Sequence, residues 1–370
     1  MLRFDRRMLL NIDWVLIVAV LSVAFIGLVN LYSSTHLYTN AGVPLYLKEL
    51  TYYLFGAAII LLVISVDYRV LLTLNYPLYI AMILLLLFAL LFGRTIGGAQ
   101  RWINLGFFRL QPSEPAKLIL VITLASYYYR KDNGKGFGLL DLAVPALLTG
   151  LPFLLIAKQP DLGTGLLLVF IFASMTLFIK LRKSTLLTLL CGGISFLPIA
   201  WKFFLKPYQR QRVETFINPE NDPLGAGYHI IQSKIAVGSG LIFGKGYTKG
   251  TQGQLDFLPE RHTDFAFSVW AEEWGFFGSF ILVICYFFMI LWGLNIAISA
   301  RDKFGVLLAF GVVSLIFWQA FINLAMVMGL LPVVGVPMPL ISFGGSSLIT
   351  NLAGLGLLMN IRMRRYMGTS

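Results

Sequence analysis

Apolar residues in this chain come in long runs and not in strand-like alternation. The runs cover roughly Trp14–Ser34, Leu50–Val66, Leu71–Phe92, Pro115–Tyr129, Leu142–Ala157, Leu162–Ile179, Thr185–Phe204, Phe276–Ser299, Phe304–Leu330 and Leu340–Ile361. A hydrocarbon layer ~30 Å thick takes ~20 helical residues to cross, and in lipid only a helix or a closed barrel satisfies its own backbone. The pattern therefore predicts an all-α polytopic membrane protein with about ten transmembrane helices, although the fourth and fifth runs are shorter than a span prefers. Polar residues gather on one side, in Phe92–Gln111 and in a large loop, about 206–264, between the seventh and eighth helices. On the other side the connections are short, from Asp67 to Arg69, Arg130 to Gly138, Lys180 to Lys183 and Arg301 to Lys303, and no soluble domain can hang from them. With no internal repeat of ~20–50 residues, residues 1–370 are expected to form a single transmembrane domain. Within the large loop, GYHIIQSKIAVGSG is expected to hold a helix that lies on the membrane surface or re-enters it.

Composition agrees: 58% of residues are hydrophobic and 12% charged, with a mean hydropathy of +0.80. A soluble domain would be about 25% charged. The N-terminal MLRFDRRMLLN enters the first run without a small-residue cleavage site, so that span is expected to be retained. The net charge of +12 raises the question of nucleic acid, and its distribution answers it. If ten runs cross, both termini share a side. Placing them in the cytoplasm collects Arg3, Arg6, Arg7, Arg69, Arg130, Lys131, Lys135, Lys180, Arg182, Lys183, Arg301, Lys303, Arg362, Arg364 and Arg365 there. Short loops on the other side hold only Lys48, Arg94, Arg101, Arg109 and Lys158. This is the positive-inside asymmetry. It turns the large loop away from the cytoplasm, and no nucleic-acid partner is expected. Cys191 and Cys285 lie inside apolar runs with no disulfide or metal-binding spacing.

Ionisable residues at the membrane need a reason, because each costs ~2.5 kcal/mol or more at a helix centre. In QPSEPAK, Glu114 and Lys117 stand three apart on one helix face. They are either a structural ion pair or a charged wall of an exterior cavity in which Lys117 meets an anionic headgroup. Arg101 and Arg109 precede them, flanking apolar residues. They suit interfacial anchoring, with Trp102, as well as anion binding. In AKQPDLGTG, Asp161 can cap the sixth helix and can also line a cavity. KPYQRQRV places Arg210 and Arg212 after the seventh run, and forked guanidinium donors match phosphate oxygens. Neither glycine run of the loop follows a strand, which excludes dinucleotide and P-loop sites. Asp264 sits where the loop meets the next helix, after His262 and before Phe265, Phe267 and Trp270. It is an N-cap, for which Thr263 competes, or a general base poised between desolvation and nearby cations. Glu272 and Glu273 follow at helical spacing and could pair with loop cations.

The blocks GGAQRW, QPSEPAK, QPDLGTG, YQRQRV, NDPLGAGYHIIQSKIAVGSG, LPERHTDF and PLISFGGSS, in this order between Gly97 and Ser347, resemble the SEDS family of shape, elongation, division and sporulation proteins. The short N-terminus, LPERHTDF and GVPMPLISFGG are most similar to its elongation (RodA) branch, with Phe343 in place of the commoner tyrosine. The resemblance implies ten transmembrane helices and a peptidoglycan glycosyltransferase of cell elongation in the bacterial cytoplasmic membrane. Its substrate would be lipid II, polymerised on the outer face. Asp264 matches the family's essential loop aspartate, Glu114 and Lys117 its polar pair, and Asp161 the aspartate of its QPDLGT motif. It also implies a class B penicillin-binding protein, a transpeptidase, as partner, alongside other proteins of the elongation complex.

Because MurNAc is α-linked in lipid II and β-1,4-linked in the polymer, transfer with inversion needs one base and positive charge at the pyrophosphate. Asp264 is expected to be that base. Arg101, Arg109, Lys117, Arg210 and Arg212 are the candidates for the pyrophosphates, and Glu114, Asp161 and Lys48 complete the expected substrate site. A divalent cation, Mg or Mn, could assist, though no carboxylate cluster dictates one. A lipid II flippase would use the same anion-binding residues. It would also need polar residues through the membrane depth, where Asn323, Asn351 and Asn360 are scattered exceptions. A non-catalytic scaffold would leave the loop's carboxylate and cations unexplained.

Overall fold

The computed structural model describes residues 12–36, 43–96, 99–104, 106, 109–204, 207–222, 225–254, 257–258 and 260–365. The basic residues Arg3, Arg6 and Arg7 of the charge count, and Lys206 at the start of the large loop, lie outside them. The long helices are α1 (Trp14–Thr35), α2 (Leu45–Ser65), α3 (Leu71–Phe92), α4 (Ser113–Lys131), α5 (Ala143–Lys158), α6 (Leu162–Phe178) and α7 (Lys183–Ile199). The large loop contributes α8 (Pro207–Ile217), α9 (Ala226–Ser239) and the short α10 (Thr251–Gln254). It is followed by α11 (Ala266–Ile298), α12 (Lys303–Val327) and α13 (Gly345–Met363).

Six segments of the described chain are long and apolar enough to cross a membrane: Trp14–Thr35, Leu45–Ser65, Tyr68–Phe92, Leu140–Lys158, Ala266–Ile298 and Lys303–Val327. The protein is thus a multi-pass, helical membrane protein. α4, α6, α7 and α13 coincide with the other four apolar runs but are shorter or more polar. Aspartates cap the starts of several helices. Asp13 accepts from the Leu16 N–H at 3.0 Å, and Asp302 accepts from the Gly305 N–H at 2.8 Å.

The core is organised around α12, most of which is buried and which packs against α4, α6, α11 and α13. α2 is the opposite case. It lies on α13, and Leu54, Leu61 and Leu62 are each more than 60% exposed. Apolar exposure of this kind faces lipid.

One feature departs from the sequence expectation and another extends it. Three short segments of the described chain form a small antiparallel sheet, β1 (Arg94–Ile96), β2 (Ala99–Asn104) and β3 (Arg109–Leu110), in the order β1-β2-β3. The Gly97-Gly98 pair between the first two is a hairpin signal that a search for apolar runs passes over. The eighth helix begins at Ala266, ten residues before its apolar run starts at Phe276 and where the loop is expected to meet it. It is broken at Gly275, whose φ of 64° lies in the left-handed region. Its first part, including Glu272 and Glu273, is buried in protein, and only the second part carries the lipid-facing phenylalanines.

Candidate functional site

Asp264 lies just before α11, and its backbone is fixed from α12. The side-chain amide of Asn323 donates to the Asp264 carbonyl at 2.9 Å and to the Val336 carbonyl at 2.8 Å. One buried amide therefore ties the end of the large loop to the segment joining α12 and α13. That segment approaches the carboxylate closely. A Cβ on Gly335, where φ is 73°, would lie 3.3 Å from Asp264 Oδ2. It also seats on α6, where a Cβ on Gly163 would fall 2.3 Å from the Val334 carbonyl oxygen, so only glycine fits. The Phe343 N–H donates to the His262 carbonyl at 2.8 Å and closes the other end.

Asp161 does both of the things its sequence position allowed. Oδ1 caps α6 by accepting from the Thr164 N–H at 3.3 Å. Oδ2 accepts from Gln111 Nε2 at 3.1 Å and from Ser113 Oγ at 3.3 Å, and pairs with Arg101 Nη1 at 3.4 Å. The sheet explains why Arg101 reaches it. β2 carries Arg101, and β3 is bound to the start of α13, where Ser346 Oγ donates to the Arg109 carbonyl and accepts from the Gln111 N–H, both at 3.0 Å. Arg212, from α8, donates through Nη1 to the Val333 carbonyl at 3.1 Å.

These positions set the electrostatics of Asp264. Burial and the nearby Glu260 and Asp161 carboxylates raise its pKa, while Arg101 and Arg212 lower it; burial is the largest influence and the result is about 6. The carboxyl is therefore ionised at pH 7 yet only about one unit from protonation, the poise a general base needs. Neighbouring His262 has its pKa pushed down by burial and remains neutral there. Among the described residues none donates a hydrogen bond to the Asp264 carboxylate.

The structure thus brings together Asp264, Asp161, Arg101 and Arg212. Glu114 and Lys117 form a 2.7 Å pair one turn into α4, their side chains 3% and 0% exposed, so Lys117 is closed off by its own partner. Ser113, bound to Asp161, is the residue next to Glu114. Arg210 donates to the Lys202 carbonyl at 2.9 Å, and its Nε is buried without a partner, as is that of Arg101. Arg109 and Lys48 have exposed side chains. Sequence reasoning missed Gly335 and the scaffolding role of Asn323, which act across separations in the chain that no local pattern reveals, and it missed the influence of Glu260, which stands in the same turn as Asp264. It named Lys48 where the structure buries the adjacent Glu49 instead. No group of three or more His, Cys, Asp or Glu among the described residues could hold a metal ion.

The FTSW_RODA_SPOVE family, described as "Cell cycle protein", matches residues 13–367. The peptidoglycan glycosyltransferase MrdB of Escherichia coli K12 is 47% identical over 291 residues, 78% of each chain. A solved chain described as "Structural coordination of polymerization and crosslinking by a peptidoglycan synthase complex" is 36% identical, covers 96% of this chain and 99% of its own, and superimposes with a TM-score of 0.81. The rod shape determining protein RodA of Thermus thermophilus is 31% identical with a TM-score of 0.70, covering 96% of this chain and 98% of its own.

Proposed function

The chain belongs to the FtsW/RodA/SpoVE family of cell cycle proteins, and from that premise we propose that it is a peptidoglycan glycosyltransferase of cell elongation in which Asp264 is the general base. The observation that carries the assignment is the Asp264 carboxylate itself, raised to about 6 and flanked by the guanidinium groups of Arg101 and Arg212. In the reaction the 4-hydroxyl of one lipid II attacks C1 of MurNAc in another. The hydroxyl proton passes to Asp264, the C1–O bond to pyrophosphate breaks, and the configuration at C1 inverts. Charge develops on the departing pyrophosphate, where preformed cations stabilise it. Arg101 and Arg212, the cations whose charge acts on the base, take that role. Arg109, Arg210 and Lys48 are candidates for the second pyrophosphate. Glu114 and Lys117 pair with each other in the helix whose Ser113 donates to Asp161.

Mg²⁺ commonly takes one or two carboxylates together with substrate phosphates. Asp264 and Asp161 are the residues that would hold such an ion, or Mn²⁺, and it would supply further positive charge at the leaving group. Ten of the helices would cross the cytoplasmic membrane, with both termini inside and the large loop outside. The partner would be a class B penicillin-binding protein that crosslinks the product.

An Asp264→Asn protein, purified with its partner and given lipid II in detergent, is expected to make glycan ~10²–10⁴-fold more slowly, the range lost with a general base. A near-normal rate would remove Asp264 from that role. Product from the unsubstituted protein in detergent, where no second compartment exists, would exclude a pure flippase.

A further inference from the structure

Between α9 and α10 the large loop turns sharply through Gly240–Gly246 and presents Leu241, Ile242 and Phe243, which are 78%, 62% and 80% exposed. In a water-facing loop, three consecutive large apolar side chains at this exposure would be costly. Their backbone is not free, because it is built into the break of α11. The Leu241 carbonyl accepts from the Phe276 N–H at 2.8 Å, and the Ile242 carbonyl accepts from the Phe277 N–H at 3.0 Å. A helix that restarts at 276 has N–H groups with no partner in its own first turn, and the loop supplies the acceptors. In return the Lys245 and Gly246 N–H groups donate to the Glu272 and Glu273 carbonyls, each at 3.0 Å. Gly244 N–H closes the turn on the Gly240 carbonyl at 2.7 Å.

Only glycine permits this fit. A Cβ on Gly240 would lie 2.0 Å from the Ala271 carbonyl oxygen, and one on Gly275 would lie 2.3 Å from the Gly244 nitrogen. Backbone whose polar groups are met inside the protein can enter hydrocarbon, whereas open loop backbone cannot.

The depth of the turn follows from α11. Residues 276–298 rise ~34 Å at ~1.5 Å per residue, about the thickness of the hydrocarbon layer. The break therefore lies at the outer edge of that layer. An aromatic row marks the same level: Trp274 stacks on Trp270 at 5.1 Å between ring centres and meets Tyr247 at 6.2 Å, and Tyr247 stacks on Tyr32 at 6.4 Å. Tryptophan and tyrosine favour the headgroup layer. Phe276 and Phe277, 66% and 58% exposed, continue the apolar surface from the turn onto the lipid-facing side of α11.

We propose that Leu241-Ile242-Phe243 is a membrane wedge that inserts into the acyl chains of the outer leaflet beside α11. Its occupant is lipid, because the exposed apolar surface is continuous with that of the span and the Leu241 and Ile242 carbonyls are met inside the protein. The turn that carries the wedge is bonded to both sides of the Gly275 break, through Leu241 and Ile242 after it and Lys245 and Gly246 before it, so it ties the upper part of α11, which begins two residues after Asp264, to the bilayer surface. This rests on α11 as a membrane span and not on the glycosyltransferase assignment.

The test is a nitroxide attached at Phe243→Cys in a full-length chain carrying Cys191→Ser and Cys285→Ser, reconstituted in phosphatidylethanolamine/phosphatidylglycerol vesicles. Phe280→Cys on the span and Lys249→Cys farther along the loop serve as references. At position 243 the collision rate with oxygen, relative to that with a water-soluble nickel chelate, is expected to match position 280 and to exceed position 249 several-fold. A ratio equal to that at 249 would place the turn in water and overturn the proposal. Low access of both reagents would show it covered by protein and overturn it equally.

Discussion

Asp264 and Glu272 stand eight positions apart, on either side of the start of α11, and the structure treats them in opposite ways. Glu272 is fully buried and saturated. It accepts from Lys245 Nζ at 2.6 Å, from the N–H and hydroxyl of Thr251 at 2.8 and 3.0 Å, and from the Gln252 N–H at 3.1 Å. It thereby closes residues 245–254 onto the helix. Asp264 receives no such donors among the described residues, and its charge is balanced only by guanidinium groups that hold other partners. A carboxylate with its lone pairs filled stabilises structure. A carboxylate balanced at a distance keeps its lone pairs for a substrate hydroxyl. Both were visible in the sequence as acids near a helix start, and only the donors around them distinguish their work.

The largest effect that would break this contrast is at the saturated site. Glu272→Ala leaves an ammonium and several N–H groups without their acceptor, and is expected to cost ~3–5 kcal/mol of stability. The measurement is the melting temperature in detergent, with the polymerisation rate per folded molecule kept. Activity lost without any loss of stability would move Glu272 into the catalytic machinery. The Glu114–Lys117 pair comes next. Lys117→Ala strands a buried carboxylate and should destabilise by ~3 kcal/mol or more, whereas Glu114→Leu with Lys117→Met should recover much of that loss. Polymerisation recovered with folding assigns the pair to structure, and folding recovered without polymerisation assigns Lys117 to the substrate. At the poised site, Arg101→Ala should lower the rate by ~10²-fold, the scale for one charge-stabilising donor. Because Arg101 holds the Asp264 pKa down, its loss should also move the acid limb of the pH profile upward.

How much of this was legible in the sequence depends on the range of the interaction. The apolar runs located the long helices because each span satisfies its backbone within itself. Asp161 declared its cap through the residues that follow it, and Asp264 its place through the switch from polar loop to apolar helix. The segment between α12 and α13 read only as a motif. Its function is to lay Val333, Val334 and Gly335 against Arg212, Gly163 and Asp264, residues 70 to 170 positions away in the chain. The apolar run of the eighth helix begins only at Phe276, well inside the helix, for a related reason. Ala266–Glu273 is buried by protein and not by lipid, so its carboxylates interrupt the apolar pattern without interrupting the helix. Glu260 is close to Asp264 in the chain, but its influence depends on the turn in which the Thr263 and Phe265 N–H groups donate to the Glu260 carbonyl, and the residue types alone do not declare that turn.

That last influence is the smallest effect and tests the central claim most directly. Glu260 raises the Asp264 pKa by like-charge repulsion, and Glu260→Gln removes the charge while keeping the side chain's size. The measurement is kcat/KM for lipid II polymerisation against pH, with the partner present, for the unsubstituted protein and the variant. Activity should require ionised Asp264, with an acid limb centred at about 6. In Glu260→Gln the limb should shift to lower pH at an unchanged plateau. A limb at the ordinary carboxylate position, ~4, or one that stays in place in the variant, would contradict the assignment of Asp264 as the poised base.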